Sequence, residues 1–499
     1  VEYALLISVF VIASCGLVYE LIAGTLASYL LGDSMMYFST VIGAYLFAMG
    51  VGSYLSRFVD RALVARFVAI EIMVGVVGGS SAAALFLAFA HLEGFRLILY
   101  GQVFIVGVLV GLEIPLLLRI LKDKIEFKDL VAQVLTFDYL GALGASVVFP
   151  LVLAPRLGLV RTCFMFGLLN VLVALWTTQV FRRELGRRAA PLRLQAAVIA
   201  LALLAGILYG ERLTTMAEES LYSDDIIFAA TTPYQRIVIT RWRDDIRLFL
   251  NGHLQFSSSD EYRYHEALVH PGLQSIDGPR RVLVLGGGDG LAAREILKYP
   301  SVESITLVDL DAGMTRLFME NPLLRSLNRD SLRSPRVRIV NADAFVWLNE
   351  SKEFFDFAVV DFPDPTNYAL GKLYTSAFYK TLLERLSARG AAAIQSTSPL
   401  FARRSYWCID TTLRSAGFMT SPYHVYVPSF GEWGFNLASR RPYVPAASYP
   451  DGLRFVDGRT VPAMFQFPPD MARVEADVNR LNNQILVQYY DAEWRETGQ

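Results

Sequence analysis

The sequence predicts a multi-domain chain: an α-helical transmembrane bundle of about seven spans, then a small β unit, then a doubly wound, Rossmann-like α/β sheet. Three observations carry that prediction. Hydrophobic residues make up 54% of the 499 residues and concentrate in the first 210, which is too apolar for an ordinary soluble protein. From residue 282 onward, short strand-like runs alternate with helical patterns, as in a parallel sheet. The first of these runs, Val282–Leu285, breaks into Gly286, Gly287, Gly288 and Gly290 before a helical pattern over Leu291–Tyr299. Such a turn brings main-chain N–H groups close to a ligand at a helix N-terminus.

Taken in order, apolar runs long enough to span a bilayer fall at roughly 4–31, 36–56, 64–91, 98–119, 133–153, 159–180 and 192–210. The first and third are long enough to be tilted or broken. Gly43, Gly50 and Gly52, and Gly141 and Gly144, permit close helix contact. Four acids, Glu20, Glu71, Glu113 and Asp138, sit inside the runs. Pairing with arginines at helix ends, such as Arg57 and Arg119, is the structural expectation for them; a cation-binding or conducting pocket is the alternative. Residues 1–210 form this membrane domain. Glu211–Asp225 is polar and acidic and reads as a linker, and 211–275 holds the β unit, with strands at Arg236–Arg241 and Ile246–Asn251. Residues 276–445 hold the large sheet, with strands at 282–285, 304–309, 337–340, 357–361 and 391–395, closed by Tyr423–Val427 and Trp433–Ala438. The extension 446–499 carries an amphipathic helix over Val474–Tyr490, expected to pack on its own domain or on the bundle.

Ligands of such sheets bind beyond the carboxyl ends of the strands, and each end here carries chemistry. The first gives Gly286, Gly288, Asp289 and Gly290, the second Asp309, and the third Asn341 and Asp343. The fourth gives Asp361 and Asp364, the fifth Gln395. A single acid at a strand end is ordinarily a helix cap; acids at four consecutive ends define a polar cleft that favours cations. Asp289 among the glycines would repel a pyrophosphate and disfavours a dinucleotide. An acid at the tip of the second strand suits a ribose diol. S-adenosylmethionine or its decarboxylated form, with a sulfonium and an amine, meets both conditions. The net charge of −1 gives no reason to expect a nucleic-acid partner, and the 3 widely separated cysteines offer neither a disulfide framework nor metal spacing, so no metal is expected.

From about Tyr234 to Ser439 the chain resembles the spermidine synthase (polyamine aminopropyltransferase) family, in its membrane-bound branch. The resemblance rests on Tyr234-Gln235, Leu250-Asn-Gly-x-x-Gln255, Asp260-Glu261-x-x-Tyr264-His265-Glu266, Gly286-Gly-Gly-Asp289-Gly290, Asp361-x-x-Asp364-Pro365, and Leu373-Tyr374 with Phe378-Tyr379. It implies a catalytic acid at Asp361, a polyamine-binding acid at Asp364, and an acid for the aminopropyl amine at Asp289. It further implies a ribose-binding acid at Asp309 (commonly Glu in the family) and an adenine-binding acid at Asp343. Gln255, Tyr264 and His265 match positions on the sulfonium and amine side, and Gln235 one near the co-substrate. The family implies a homodimer. Departures fall on the acceptor side: Phe362-Pro363 fills the middle of the catalytic motif, Thr366-Asn367 replaces the following turn, and Phe430 stands where the family has a tyrosine that contacts polyamine.

The activity implied is transfer of an aminopropyl group from decarboxylated S-adenosylmethionine, or a related transfer from S-adenosylmethionine, to an amine such as putrescine, releasing 5'-methylthioadenosine. Methyl transfer or intramolecular cleavage of the same donor is the alternative enzyme, and a non-catalytic polyamine- or nucleoside-binding transporter or sensor the alternative class. The lipid bilayer is the expected partner of the first 210 residues, as a multi-pass protein of the cell membrane. The basic loops near 57–66, 119–128 and 182–193 share one side if seven spans are present, which by the positive-inside rule puts the catalytic domain outside. Adenosyl-sulfonium compounds are made and used in the cytosol, so a cytoplasmic catalytic domain is expected against that charge distribution.

Overall fold

The computed structural model of the protein describes residues 2–31, 35–92, 94–122, 126–219, 222 and 224–496. Lys124, counted with the basic loops, lies outside them, as do 220, 221 and 223 of the expected linker. The chain separates into two compact units, Val1–Asp225 and Ile226–Gln499.

In the first unit, six helices among the described residues are long and apolar enough to cross a membrane: Leu6–Ser28, Met36–Phe58, Leu63–Phe89, Phe95–Leu121, Phe127–Val180 and Arg182–Gly210. The fifth has 54 residues and covers what the sequence reads as two runs. That is more than twice the length a bilayer requires, and it is broken where Phe149–Leu153 loosens into a π-turn and Gly158 takes φ 75°, ψ 169°. Leu63–Phe89 is also interrupted, at Ser80 between Leu63–Gly79 and Ser81–His91. The last helix runs on to Glu219, so much of the expected linker is helical.

Small residues set only some of the close contacts. A Cβ on Gly52 would stand 2.1 Å from the Val108 carbonyl and one on Gly141 2.4 Å from that of Phe10, whereas Gly43 and Gly50 face open space. The expected pairing of the buried acids with helix-end arginines does not form at Arg57 or Arg119. Arg119 donates to the Ser56 carbonyl and pairs with Asp60, and Arg57 lies over the Tyr54 ring. Glu71 accepts instead from Asn170, at 3.2 Å, and the Glu113 carboxylate has no hydrogen-bond partner among the described residues.

The second unit opens with an antiparallel sheet of four strands rather than two: β1 (Asp225–Thr231), β2 (Arg236–Trp242), β3 (Asp245–Leu250) and β4 (His253–Ser257). A helix, Glu261–Leu273, leads into the large sheet. Its strands are β5 (Arg281–Gly286), β6 (Ser304–Asp309), β7 (Val337–Asn341), β8 (Phe355–Asp361), β9 (Leu386–Gln395), β10 (Met419–Val427) and β11 (Gly431–Ser439). The spatial order is β10-β11-β9-β8-β5-β6-β7, with β5 to β9 mutually parallel and β11 antiparallel to both its neighbours. Val282, Leu283, Val284 and Leu285 are fully buried, as a strand covered on both faces requires. Chain order reverses between β5 and β8, and that switch point is where a doubly wound sheet opens a crevice. The β-unit residues Ile237, Ile239, Leu248 and Phe256 share a core with Val282 and Val284, which makes the two sheets one body.

Candidate active site

Gly286 at the tip of β5 is the register partner of Asp361 at the tip of β8. With φ 83°, Gly286 turns the chain out of the strand, and a Cβ there would stand 2.1 Å from the Asp361 carbonyl. The glycine-rich stretch therefore lies directly against the predicted catalytic acid. Gly288 presents its N–H to Asp309 Oδ2 at 3.1 Å, and a Cβ there would meet that oxygen at 2.6 Å. Asp289 accepts from the Leu291 N–H at 2.8 Å, and Gly290, at φ 79°, starts a helix of only Leu291–Ile296, shorter than the Leu291–Tyr299 expected.

The helix Glu261–Leu273 supplies the other wall, and each polar residue of its motif has a separate task. Asp260 accepts from the backbone N–H and hydroxyl of Ser429, at 2.6 and 2.9 Å, fixing the turn that carries Phe430. Tyr264 donates its hydroxyl to Asp361 Oδ1 at 2.7 Å, and its ring lies 6.2 Å from that of Phe430. His265 Nδ1 meets Glu261 Oε2 at 2.8 Å, as i,i+4 spacing allows. Glu261 is gripped by both terminal nitrogens of Arg294, each at 2.9 Å. Glu266 takes no part in this wall; its carboxylate accepts the N–H groups of Arg454, Phe455 and Val456 and ties down the chain beyond β11.

On the far side of β8, Asp364 is held by neutral donors: Gln395 Nε2 at 2.7 Å, the Thr397 hydroxyl at 3.1 Å and the Tyr490 hydroxyl at 2.9 Å. The Phe362-Pro363 pair in the middle of the catalytic motif has a structural explanation. Phe362 packs its ring against Tyr374 and Phe378, and Tyr374 donates its hydroxyl to the Phe362 and Pro363 carbonyls. On the β6 side, Gln235 does not touch Asp309; it donates to Asp311 at 2.8 Å, and Asp311 in turn gives its N–H to Asp309. Asn341 is the register partner of Asp309 and donates to its carbonyl at 3.2 Å.

Two predicted residues stand apart. Asp343 caps the helix Ala344–Glu350 with Oδ1 and pairs through Oδ2 with Lys372 at 2.5 Å. Partial burial raises its pKa, but the ammonium outweighs this and holds the carboxyl below its usual range. Gln255 lies half-buried on β4 and donates to the His253 carbonyl of its own strand.

Electrostatics separates these acids into two classes. Desolvation raises Asp361 to about 6, with Asp289 adding to the rise and His265 and Tyr264 opposing it. Asp309 is likewise raised to about 6, chiefly by burial, and burial pushes up Asp289 and Asp364. None of these four carboxylates is paired with a lysine or arginine among the described residues. Burial opposes charge on Glu261 too, yet His265 and Arg294 hold it down at about 2. Burial would depress His265, but Glu261 raises it to about 9, so an imidazolium faces Asp289 and Asp361 at neutral pH. Four carboxylates whose pKa stays raised, with one imidazolium among them, are stabilised by a further, mobile cation. The cluster is thus built for a ligand carrying positive charge.

Sequence reasoning missed Thr397, Arg294 and Tyr490. Thr397 and Arg294 lie close to motif residues, but nothing in their local pattern marks them; Tyr490 is 126 residues from its partner Asp364. A cavity of about 250 Å³, lined in part by Ser275, Arg389, Arg441 and Tyr443, opens instead at the amino end of β9 and touches none of the acids.

The Spermine/spermidine synthase domain matches residues 261–448. A polyamine aminopropyltransferase of Leptospira interrogans is 55% identical over 99% of this chain and 99% of its own length. Polyamine aminopropyltransferase 2 of Ralstonia nicotianae is 58% identical over 98% of each chain, and the Mycobacterium tuberculosis protein 39% identical over 97% of this chain and 95% of its own. Identity at this level along nearly the whole length means that the chain belongs to the spermidine synthase (polyamine aminopropyltransferase) family.

Proposed function

We propose that the chain transfers the aminopropyl group of decarboxylated S-adenosylmethionine to an amine acceptor such as putrescine. The amine nitrogen forms a bond to the carbon beside the sulfonium, the carbon–sulfur bond breaks, and its electron pair returns to sulfur to give 5'-methylthioadenosine. The nitrogen attacks as the free amine, so the proton it carries as an ammonium leaves before its electron pair forms the new bond. The observation that carries this reading is Asp361: half-buried, raised to about 6, held by Tyr264, without a lysine or arginine partner, and set against the glycine-rich turn at the switch point. A free alkylamine arrives protonated, its pKa being near that of lysine. A carboxylate at this place orients the amine and takes or relays its proton. Alignment of nitrogen, carbon and sulfur supplies much of the remaining acceleration.

In this reading Asp289 takes the donor's aminopropyl ammonium, Asp309 the ribose hydroxyls, and Asp364 the distal ammonium of the acceptor. Asp343, already committed to its helix and Lys372, meets adenine only if the lysine yields. The single deciding experiment incubates purified protein with decarboxylated S-adenosylmethionine or S-adenosylmethionine, with and without putrescine, and analyses products by mass spectrometry. Spermidine and methylthioadenosine in equal amounts, only from the decarboxylated donor, are expected. Methylated amine, or no methylthioadenosine at all, would overturn the proposal.

Gly288→Ala gives a second check. Its Cβ would push the Asp309 carboxylate off its place, an overpacking cost of about 1–3 kcal/mol. Donor KM is expected to rise roughly tenfold or more, with acceptor KM little changed.

We further propose that the helical unit is anchored in a bilayer. Its helices turn large apolar side chains outward, with Leu97 81% exposed and Phe47, Leu201 and Leu208 each 68% exposed. Helices satisfy their own backbone, so such a surface is stable against hydrocarbon and costly in water. Recovery of the intact chain in the membrane fraction after alkaline carbonate washing tests this; release into the supernatant would refute it.

A further inference from the structure

We propose that Tyr490, on a C-terminal helix outside the matched family domain, is a positioning residue for the acceptor amine, acting through Asp364. This rests on the reading of Asp364 as the acceptor's anchor.

The helix Ile485–Glu496 is docked firmly on its own unit. Glu493 accepts the N–H groups of Arg404 and Ser405, at 2.6 and 3.0 Å, and so caps the helix Arg403–Ser415. Arg404 lies over the Tyr489 ring at 4.1 Å, and Leu486 is fully buried. This seating delivers the Tyr490 hydroxyl to Asp364 Oδ2 at 2.9 Å.

A carboxylate offers about four lone-pair sites. Thr397 and Tyr490 fill those of Oδ2, and Gln395 takes one of Oδ1, leaving a single site on Oδ1 for a ligand ammonium. The carboxylate is thereby locked in one orientation before substrate arrives, which is preorganisation by hydrogen bonding. Phe430 lacks the hydroxyl that the family resemblance places on the acceptor side, and Tyr490 brings one to that side from elsewhere in the chain. The consequence is a site tuned to an acceptor with a second ammonium.

The test compares wild type with Tyr490→Phe, which keeps the ring against Trp494 and removes only the hydroxyl. Putrescine and n-butylamine serve as acceptors. For putrescine, KM is expected to rise about tenfold, the loss of one hydrogen bond to a charged group, with kcat changed less than about twofold and donor KM unchanged. The preference for putrescine over n-butylamine should shrink by the same factor. The acid limb of kcat/KM for putrescine should move to higher pH, because the tyrosine bond opposes the upward shift that burial imposes on Asp364. Gln488→Ala, exposed on the same helix, should change nothing. Turnover with an unaltered putrescine KM and unaltered preference in Tyr490→Phe overturns this assignment alone. Wild type that makes no methylthioadenosine with either amine overturns it together with the proposed reaction.

Discussion

Asp361→Asn is expected to lower kcat by about 10²–10⁴-fold, the range that general-base assistance supplies, while donor binding, followed by calorimetry, stays within a few-fold. The asparagine keeps the size of the side chain and a partner for the Tyr264 hydroxyl, but it cannot take a proton. In wild type, kcat/KM should fall as pH drops through about 6, where Asp361 becomes protonated. Asp309, also raised to about 6, adds to that limb through donor binding. The variant's residual activity should show a shallower acid limb, because the Asp361 component is gone. Unchanged kcat in the variant would remove Asp361 from the chemistry.

The second large effect is on stability. Arg294→Ala leaves Glu261 with only His265 and strips one of the partners of Glu295, both nearly fully buried. Removing one member of a buried ion network costs about 3–5 kcal/mol, which corresponds to roughly 10 °C in the melting temperature of a unit this size. The pH dependence follows from the direction of each shift. Glu261 is depressed to about 2, so its contribution is present above the unfolded carboxyl value and is lost as pH falls from there through about 2. His265 is raised to about 9, so its contribution is complete below the unfolded imidazole value and is lost as pH rises through about 9. Thermal melts across pH should therefore show wild type losing stability at both ends, with the acid arm reduced in Arg294→Ala, where His265 alone still holds Glu261 down. A variant melting within about 2 °C of wild type, less than 1 kcal/mol, would show that the network contributes little.

The large sheet was legible because its signal is local. Val282–Leu285, Ser304–Asp309 and Phe357–Asp361 are short apolar runs followed by turn residues, and the structure gives them the register expected of parallel neighbours. The tail was not, because tertiary hydrogen bonds override its helical pattern. A helix expected from Val474 begins only at Ile485; before it, Asp477 and Asn479 give their backbones to Cys408, Ser376 and Thr412, and Gln484 takes a positive φ of 45°. The same kind of competition settles Asp343. Its place at a strand end suits a ligand, but nothing in the local pattern reveals that Lys372, 29 residues on, will take its second oxygen.

By itself, the sequence determined which chemical groups stand at the strand tips, since alternation of strand and helix fixes where each acid is carried. It also determined that the first 210 residues must bury or shield apolar surface. Tertiary structure alone decided which acids are neutralised and which are left wanting a cation. That depends on the distance to partners far along the chain, as with Glu261 and Arg294 or Asp364 and Tyr490, and on burial, which no local pattern encodes. It decided too that the glycines of the helical unit do not all act alike, because close approach depends on how two helices cross and not on the presence of a glycine in either.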